Sequence, residues 1–157
     1  MKVRAIRRGD ANIIATMMEE FDRHFASMEG RRRRTLKRAT ARADLERAGF
    51  GLRGFVTGLI AEEDGEACGY LLYHFGFNAN VRRGTLVISD LFVRDKWRRH
   101  KVGHALMARA RQIALKRGCA QMDWTVWNMN PPAIAFYLAL GAKSVDDEIV
   151  MGMKIAK

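Results

Sequence analysis

A basic turn at residues 98–103 (RRHKVG) carries the clearest chemical pattern in the chain. It lies between a strand-like run that ends in Leu91-Phe92-Val93 and a long helical pattern. The first backbone N–H groups of a helix have no partner within the helix and point outward at the positive end of its dipole. Arg98, Arg99 and Lys101 add positive charge, and Gly103 lets a ligand approach the backbone closely. The turn therefore predicts a phosphate-binding site, although a basic turn of this kind is by itself more often a solvated loop.

A second marked segment begins at Asn130. This residue precedes Pro131-Pro132, and Gly141 follows ten residues after Pro131. Asn is a good helix cap, Pro is favoured in the first helical turn where its missing N–H costs nothing, and Gly is favoured just past a helix end. The spacing predicts a short helix whose start and end are both marked.

The first half of the chain predicts strands and helices that form a scaffold for these segments. A strand is predicted over Val3–Arg7, and Asp10 is predicted to cap the helix that follows. A second short helix is predicted over Ala39–Ala48. Two further strands join across Asp64-Gly65, a strong hairpin signal. They are predicted over Phe55–Glu62 and Ala67–Phe77.

The second half alternates strands and helices. A long strand over Thr85–Val93 leads through the basic turn to a helix with an apolar stripe. The stripe is formed by Val102, Leu106, Ala110, Ile113 and Ala114. Another strand is predicted over Ala120–Trp127, and a closing strand over Glu148–Ile155, where Ile and Met alternate on one face. The pattern predicts one α/β domain over residues 1–157, with a mixed, largely antiparallel central sheet flanked by helices.

Composition bounds the class of protein. The chain has 157 residues, of which 48% are hydrophobic and 29% are charged, so it can bury a core and is not expected to be disordered. No apolar run approaches the roughly 20 residues of a membrane span, and the first ten residues do not resemble a secretion signal. We therefore expect a cytoplasmic protein without a membrane partner. Cys68 and Cys119 are expected to be reduced, buried thiols.

The net charge of +11 is concentrated in one place. Six positive and no negative side chains fall within Arg31–Arg38, which is more than half of the excess. Such a run suits nucleic acid, an acidic partner or an anionic ligand, although a solvated loop is the commoner outcome. Since no aromatic residue interrupts the run, stacking on single-stranded nucleic acid is not favoured.

Two motifs together resemble a known family. Asp90-Leu91-Phe92-Val93 followed by Arg98 and Gly103, and then the block Asn130–Ala142, resemble the acetyl-CoA-binding core of the GNAT N-acetyltransferase superfamily. The resemblance covers Phe55–Ala142 best and is greatest for the diamine (spermidine/spermine-type) branch. It implies the GNAT acyl-CoA N-acyltransferase fold, acetyl-CoA as co-substrate, and acetyl transfer to a primary amine of a small molecule or peptide. A homodimer is also expected, although the sequence by itself does not show whether the chain dimerises.

The resemblance also implies site residues. In the family, the end of the long strand pairs its backbone with the pantetheine arm, and the following turn and helix start hold the pyrophosphate. Asn130 would cap the next helix near the cofactor arm, and Tyr137 would act as general acid on the leaving thiolate. The implied cofactor-binding residues of the strand and turn are Leu91, Phe92, Val93, Arg98, Arg99, His100, Lys101, Val102, Gly103, His104 and Ala105.

Two positions depart from the family pattern. Lys101 stands where the family usually has Gly, so either the turn opens differently or the ammonium itself meets a phosphate. Ser89 stands where the diamine branch usually has Glu, its candidate base for the acceptor amine. By simple alternation Asp90 would lie on the opposite face from Ser89 and could not replace that Glu. Water or another residue is left to serve, and His74 is a candidate base, although a single strand histidine is more often structural.

Other interpretations stay open. The chain could be a nucleic-acid or acidic-partner binding module that uses the arginine run, or a non-catalytic acyl-CoA binder, since Ser89 removes a carboxylate. His100 and His104 have the i, i+4 spacing of a metal pair, but the Glu of the metalloprotease motif is absent, so no metal is expected. The acidic residues Glu19, Glu20, Asp22 and Glu29 could attract a polycation, but plain surface charges are the favoured interpretation.

Overall fold

The computed structural model describes residues 1–29, 37–52, 54–145, 150–153 and 155. Within these residues, strands β1 to β5 form one sheet. The strands are β1 (Lys2–Ala5), β2 (Thr57–Glu63), β3 (Glu66–Asn78), β4 (Arg83–Val93) and β5 (Gln121–Trp124). The helices are α1 (Ala11–Glu29), α2 (Arg38–Phe50), α3 (Val102–Lys116) and α4 (Pro131–Ala139). This confirms the predicted fold class.

The strands follow chain order across the sheet, β1-β2-β3-β4-β5. Strands β1 to β4 pair with one another in antiparallel fashion, and β5 runs parallel to β4 after the crossover through α3. The hairpin between β2 and β3 turns at Asp64 and Gly65, with φ of 47° and 78°. Positive φ at both positions is the turn that matches strand twist, which is why an Asp-Gly pair predicts it well.

Strand β4 contains a β-bulge at Ser89. Leu72 of β3 lies opposite Asp90, but the next residue, Tyr73, lies opposite Ile88, so Ser89 is an extra residue in the ladder. A bulge leaves one residue without a partner and interrupts the alternation of side chains between the two faces.

The helices cover the two faces of the sheet. Helices α1 and α2 pack on each other, and α1 packs on β3 and β4. Their buried side chains form one apolar cluster, with Ile14 and Met17 of α1 against Ile60 and Tyr70 of the strands. Helix α3 packs on strands β1 to β5. Its buried residues include four of the predicted stripe, and Ile113 is half-buried. The four are Val102, Leu106, Ala110 and Ala114.

Several boundaries differ from the predictions. The strand predicted over Ala120–Trp127 stops at Trp124, and α2 extends to Phe50. Asp10 ends a short 3-10 turn, where its carboxylate accepts hydrogen bonds from the Arg4 guanidinium and the Arg7 N–H instead of simply capping α1. The ion pair with Arg4 competes successfully for the carboxylate oxygens because it is charge-assisted.

The predicted closing strand is not present in the described part of residues 148–155. Residues 150–153 and 155 have no strand pairing, and the side chains of Val150, Met151, Met153 and Ile155 are exposed. Residues 148, 149 and 154 lie outside the described residues. Alternation supplies one apolar face, but a strand also needs a hydrogen-bonded neighbour, which the pattern does not specify.

The chain divides into two compact units, Met1–Thr125 and Val126–Lys157. The first contains the sheet with α1, α2 and α3, and the second contains α4. That residues 1–157 act as a single domain stays a prediction. Most of the basic run, residues 31–36, lies outside the described residues.

Candidate active site

Helix α3 begins without a side-chain cap. Lys101 occupies the capping position in the left-handed conformation, with φ of 61° and ψ of 11°, and it makes no capping bond to described residues. The first turn also has no acidic side chain. Arg99 is left-handed too, with φ of 64°. The N–H groups of Val102 and Gly103 therefore open the helix without a side-chain cap or a first-turn carboxylate from the described residues.

Lys101, which stands where the family usually has glycine, has a left-handed backbone conformation. Glycine adopts this conformation at little cost, whereas a residue with Cβ pays a steric penalty. The turn thus takes a conformation that glycine would favour, and Lys101 adds an exposed side chain beside the helix start. Its carbonyl accepts the N–H of Ala105 at 3.0 Å, which starts the regular helical bonding.

The other basic side chains of the turn have different surroundings. Arg98 donates through Nε to the Val93 carbonyl at 3.3 Å and pairs with Asp95 at 2.8 Å. It therefore braces the end of β4 against the loop. His100 packs edge-on to Trp97, with its Nδ1 at 2.8 Å from the Arg98 carbonyl oxygen. Arg99 and His104 are exposed.

Part of β4 has an open edge. Strand β5 pairs with β4 only from Thr85 to Ile88 and ends at Trp124. Among the described strands, none pairs with the outer edge of β4 from Ser89 to Val93. Phe92 is buried against Phe21 and Tyr70, while Leu91 and Val93 are half-buried. We call residues 89–93 the open edge; it can accept hydrogen bonds from, and donate them to, an extended ligand.

The bulge corrects the prediction for Asp90. Leu72 and His74 share one face of β3, and Leu72 lies opposite Asp90. Nδ1 of His74 lies 3.2 Å from the Ser89 hydroxyl, so Ser89 is on the His74 side of the sheet. Ser89 and Asp90 therefore share a face, contrary to the expectation from simple alternation. The sequence pattern does not indicate a bulge, so sequence analysis did not predict that Ser89 and Asp90 lie on the same face.

Asp90 is held by a buried tyrosine. The Tyr70 hydroxyl donates to Oδ2 of Asp90 at 2.5 Å, and Tyr70 is fully buried. Burial raises the pKa of the Asp90 carboxyl, and the negative charge of Asp22 raises it further, while hydrogen bonds from Tyr70 and the Leu91 N–H oppose this. Burial likewise raises the pKa of Tyr70. Tyr70 is thus a donor that orients Asp90.

The acidic residues of α1 are more than plain surface charges. Glu20 makes a two-bond pair with the Arg94 guanidinium at 2.9 and 3.0 Å, and Glu19 accepts the backbone N–H of Arg38 at 2.6 Å. The Glu29 side chain lies outside the described residues. On the same helix, burial and the charge of Arg98 lower the pKa of His24, whose Nδ1 lies 3.5 Å from that guanidinium. Helix α1 is therefore tied electrostatically to the segment that follows β4.

The second unit carries the remaining predicted residues. Asn130 caps α4, as predicted, with its Oδ1 accepting the Ala133 N–H at 3.2 Å. Tyr137 is half-buried, and its ring centroid lies 5.1 Å from that of Phe136. Gly141 ends the segment with φ of 86°. The local helix is confirmed, and the catalytic role of Tyr137 stays a prediction.

Metal and membrane features are not found in the described residues. No group of three or more metal-ligating side chains occurs there, and His100 instead packs on Trp97. No described helix has the length and apolarity to cross a bilayer.

Residues 15–142 match the Acetyltransferase (GNAT) family. The chain belongs to this family. It is an N-acetyltransferase, as the two motifs indicated. It is 26% identical over 153 residues to a thialysine N-epsilon-acetyltransferase of Sus scrofa, covering 92% of this chain and 85% of the relative. The Mus musculus protein of the same name is 27% identical and covers 93% and 86%.

Solved structures show the same fold as this acetyltransferase. An integron cassette protein from the mobile metagenome of V. cholerae has a TM-score of 0.84 at 22% identity, covering 98% of this chain and 91% of that one. An aminoglycoside acetyltransferase from an uncultured soil metagenomic sample has a TM-score of 0.68 at 23% identity, covering 99% and 98%.

Proposed function

We propose that this acetyltransferase moves the acetyl group of acetyl-CoA to a primary amine of a small molecule or peptide by direct attack. One observation carries the proposal: the open edge of β4 leads, through a short basic loop, to the uncapped start of α3. An extended chain of amides suits the first feature, and a diphosphate suits the second.

The proposed cofactor site follows these features. Backbone groups of Leu91, Phe92 and Val93 pair with the pantetheine amides. The N–H groups opening α3 hold the diphosphate, with residues 98–105 around it and the exposed cations of Arg99 and Lys101 adding attraction. Asn130 lies near the cofactor arm in this proposal and fixes the start of α4.

Tyr137 is the proposed general acid. Attack of the amine on the thioester carbonyl forms a C–N bond and breaks the C–S bond, and the departing thiolate needs a proton. The Tyr137 phenol supplies that proton and regains one from solvent. The relatives named above carry the names of amine acetyltransferases, which supports an amine acceptor here.

A thiol-release assay tests the activity. Purified protein is mixed with acetyl-CoA and a panel of diamines, amino acids, aminoglycosides and basic peptides, and free CoA is measured. We expect release with at least one amine, and a melting temperature that rises with acetyl-CoA because the ligand binds the native state. Unchanged melting at saturating acetyl-CoA would overturn the cofactor assignment. Binding without release for every amine would point to a non-catalytic binder.

The role of Tyr137 has its own test. Tyr137→Phe should lower kcat by about 100-fold, a usual contribution of a general acid, while the Kd for acetyl-CoA stays unchanged. Tyr73→Phe is the matched control, because it removes the hydroxyl of a buried phenol on strand β3 that the proposed mechanism does not use. Equal kcat for the two variants would exclude Tyr137 as the acid.

A further inference from the structure

An amine acetyltransferase must first remove a proton from its acceptor. An alkyl amine has a pKa of about 10.4 and is almost wholly protonated at neutral pH. The ammonium form has no lone pair and cannot attack a carbonyl. Water or a group beside the acceptor therefore has to take that proton, and the open edge begins at Ser89.

We infer that Ser89 and His74 form a proton relay that deprotonates the acceptor ammonium. This inference rests on the proposed function. The Ser89 hydroxyl lies 3.2 Å from Nδ1 of His74, within hydrogen-bonding distance. Ser89 is exposed and His74 is half-buried, so the hydroxyl faces solvent while the imidazole lies behind it.

The strand register places this pair on one face of the sheet. His74 lies opposite Val87 in the strand register, two positions before Ser89. Side chains alternate along a strand, so Ser89 lies on the same face as Val87 and His74. The bulge then brings Asp90 onto that face as well, at the point where the pairing with β5 has ended. Bulges commonly re-aim a side chain beside an active site.

Asp90 is the competing base on the same face. Its carboxylate already accepts hydrogen bonds from the Tyr70 hydroxyl and the Leu91 N–H, and the first of these directs it toward a fully buried side chain. The Ser89 hydroxyl is within hydrogen-bonding distance of His74 and is exposed. The exposed Ser89 hydroxyl can therefore accept a proton from a substrate that arrives from solvent. The Asp90 carboxylate is instead hydrogen-bonded to the buried Tyr70.

The proton balance of the step is complete. Ser89 Oγ takes one proton from the ammonium as its own hydroxyl proton passes to Nδ1 of His74, which holds its other ring proton on Nε2. The neutral amine then attacks the thioester carbonyl. The imidazolium releases its proton to solvent. The amine nitrogen loses a second proton when the amide forms, and this loss equals the proton that the leaving thiolate gains. The net reaction converts an ammonium and a thioester into an amide, a thiol and one released proton.

The kinetic test compares a strongly and a weakly basic acceptor. His74→Gln and Ser89→Ala should each lower kcat/KM for the best alkyl amine by about 10- to 100-fold, with acetyl-CoA affinity unchanged. With trifluoroethylamine, which is already neutral at neutral pH, both variants should match the wild type. Val87→Ala is the control, since it reduces packing opposite His74 but keeps both side chains of the relay. Equal losses with both amines would overturn the relay and indicate a structural defect.

Rescue separates proton transfer from packing. Ser89→Glu places a carboxylate where the hydroxyl lies, so adding His74→Gln to it should cause no further loss with the alkyl amine. An unchanged rate in His74→Gln, or a large loss in Asp90→Asn that Ser89→Glu does not relieve, would assign the base elsewhere. A wild-type protein inactive with every amine would instead contradict the proposed function.

A spectroscopic readout needs no turnover. In the protein without ligands, long-range ¹H–¹⁵N NMR should show Nδ1 of His74 as an unprotonated acceptor, and Ser89→Ala should shift that nitrogen resonance while leaving His100 unchanged. A His74 signal insensitive to Ser89→Ala would show that the hydrogen bond does not form in solution.

Discussion

Helices α3 and α4 begin in opposite ways. At α4, the first two positions are Pro131 and Pro132, which have no N–H, and Asn130 accepts the third N–H with its side chain. At α3, Val102 and Gly103 bring N–H groups, the capping position is a strained lysine, and no acidic residue stands in the first turn. Asn130 and the two prolines complete the start of α4, whereas α3 begins with no side-chain cap among the described residues.

The difference shows how a helix start relates to function. A closed start contributes to stability, because each orphan donor has a partner or is missing. An open start gives up that stabilisation and here adds left-handed strain at Lys101 and Arg99. We therefore expect the charge variant at the start of α3 to change mainly acetyl-CoA affinity. We expect variants at the start of α4 to change mainly the free energy of unfolding.

Gly103→Asp should produce the largest effect, because it closes the open start with a charge from the chain. A carboxylate in the first turn of a helix stabilises it by about 0.3–1 kcal/mol, so the melting temperature should hold or rise. The same charge repels a diphosphate, and the Kd for acetyl-CoA should rise at least tenfold, about 1.4 kcal/mol. Isothermal titration calorimetry measures the affinity.

Gly103→Asn is the matched control for this prediction. It has nearly the same size as Gly103→Asp without the charge, so it should weaken binding clearly less than Gly103→Asp does. If both variants weaken binding equally, bulk and not charge is responsible for the loss. If neither variant weakens binding, the diphosphate does not lie at this helix start.

Asn130→Ala should lower the free energy of unfolding by about 1 kcal/mol, because the Ala133 N–H loses its side-chain acceptor. Urea denaturation measures the change. Asn130→Ser keeps a capping oxygen and should recover most of the loss. A serine variant as unstable as the alanine variant would show that capping is not what Asn130 contributes.

Lys101→Gly should give the smallest effect, a gain in stability of about 0.5 kcal/mol. Relief of left-handed strain is worth about 1–2 kcal/mol, and the extra backbone entropy of glycine offsets about 0.5–1 kcal/mol of it. Arg111→Gly, on an exposed helical position of α3, should instead cost about 1 kcal/mol. If urea denaturation showed a lower free energy of unfolding for both variants, the left-handed conformation at Lys101 would be contradicted.

Local signals explain what could be predicted from the sequence. The Asp64-Gly65 hairpin and the helix from Asn130 to Gly141 depend on residues whose backbone preferences act within a few positions, and both are confirmed. The α3 stripe also follows from local periodicity, because one face must be buried.

The unpredicted features depend on partners distant in sequence. The bulge at Ser89 is a mismatch between β3 and β4, and no residue type near Ser89 marks it. Arg94 pairs with Glu20 of α1, 74 residues earlier in the chain, and no local pattern near either residue reveals this contact. The alternation near residue 150 supplied an apolar face without showing whether another strand would pair with it.

The extra residue in β4 also has a consequence for solubility. An unpaired strand margin that can take a ligand can equally recruit the margin of another molecule, the first step of edge-to-edge aggregation. A bulge bends and over-twists such a margin, so a flat foreign strand fits it poorly while a flexible small molecule still does. Deleting Ser89 would keep every other side chain on its own face of the sheet, yet straighten this margin and remove the obstacle to self-association.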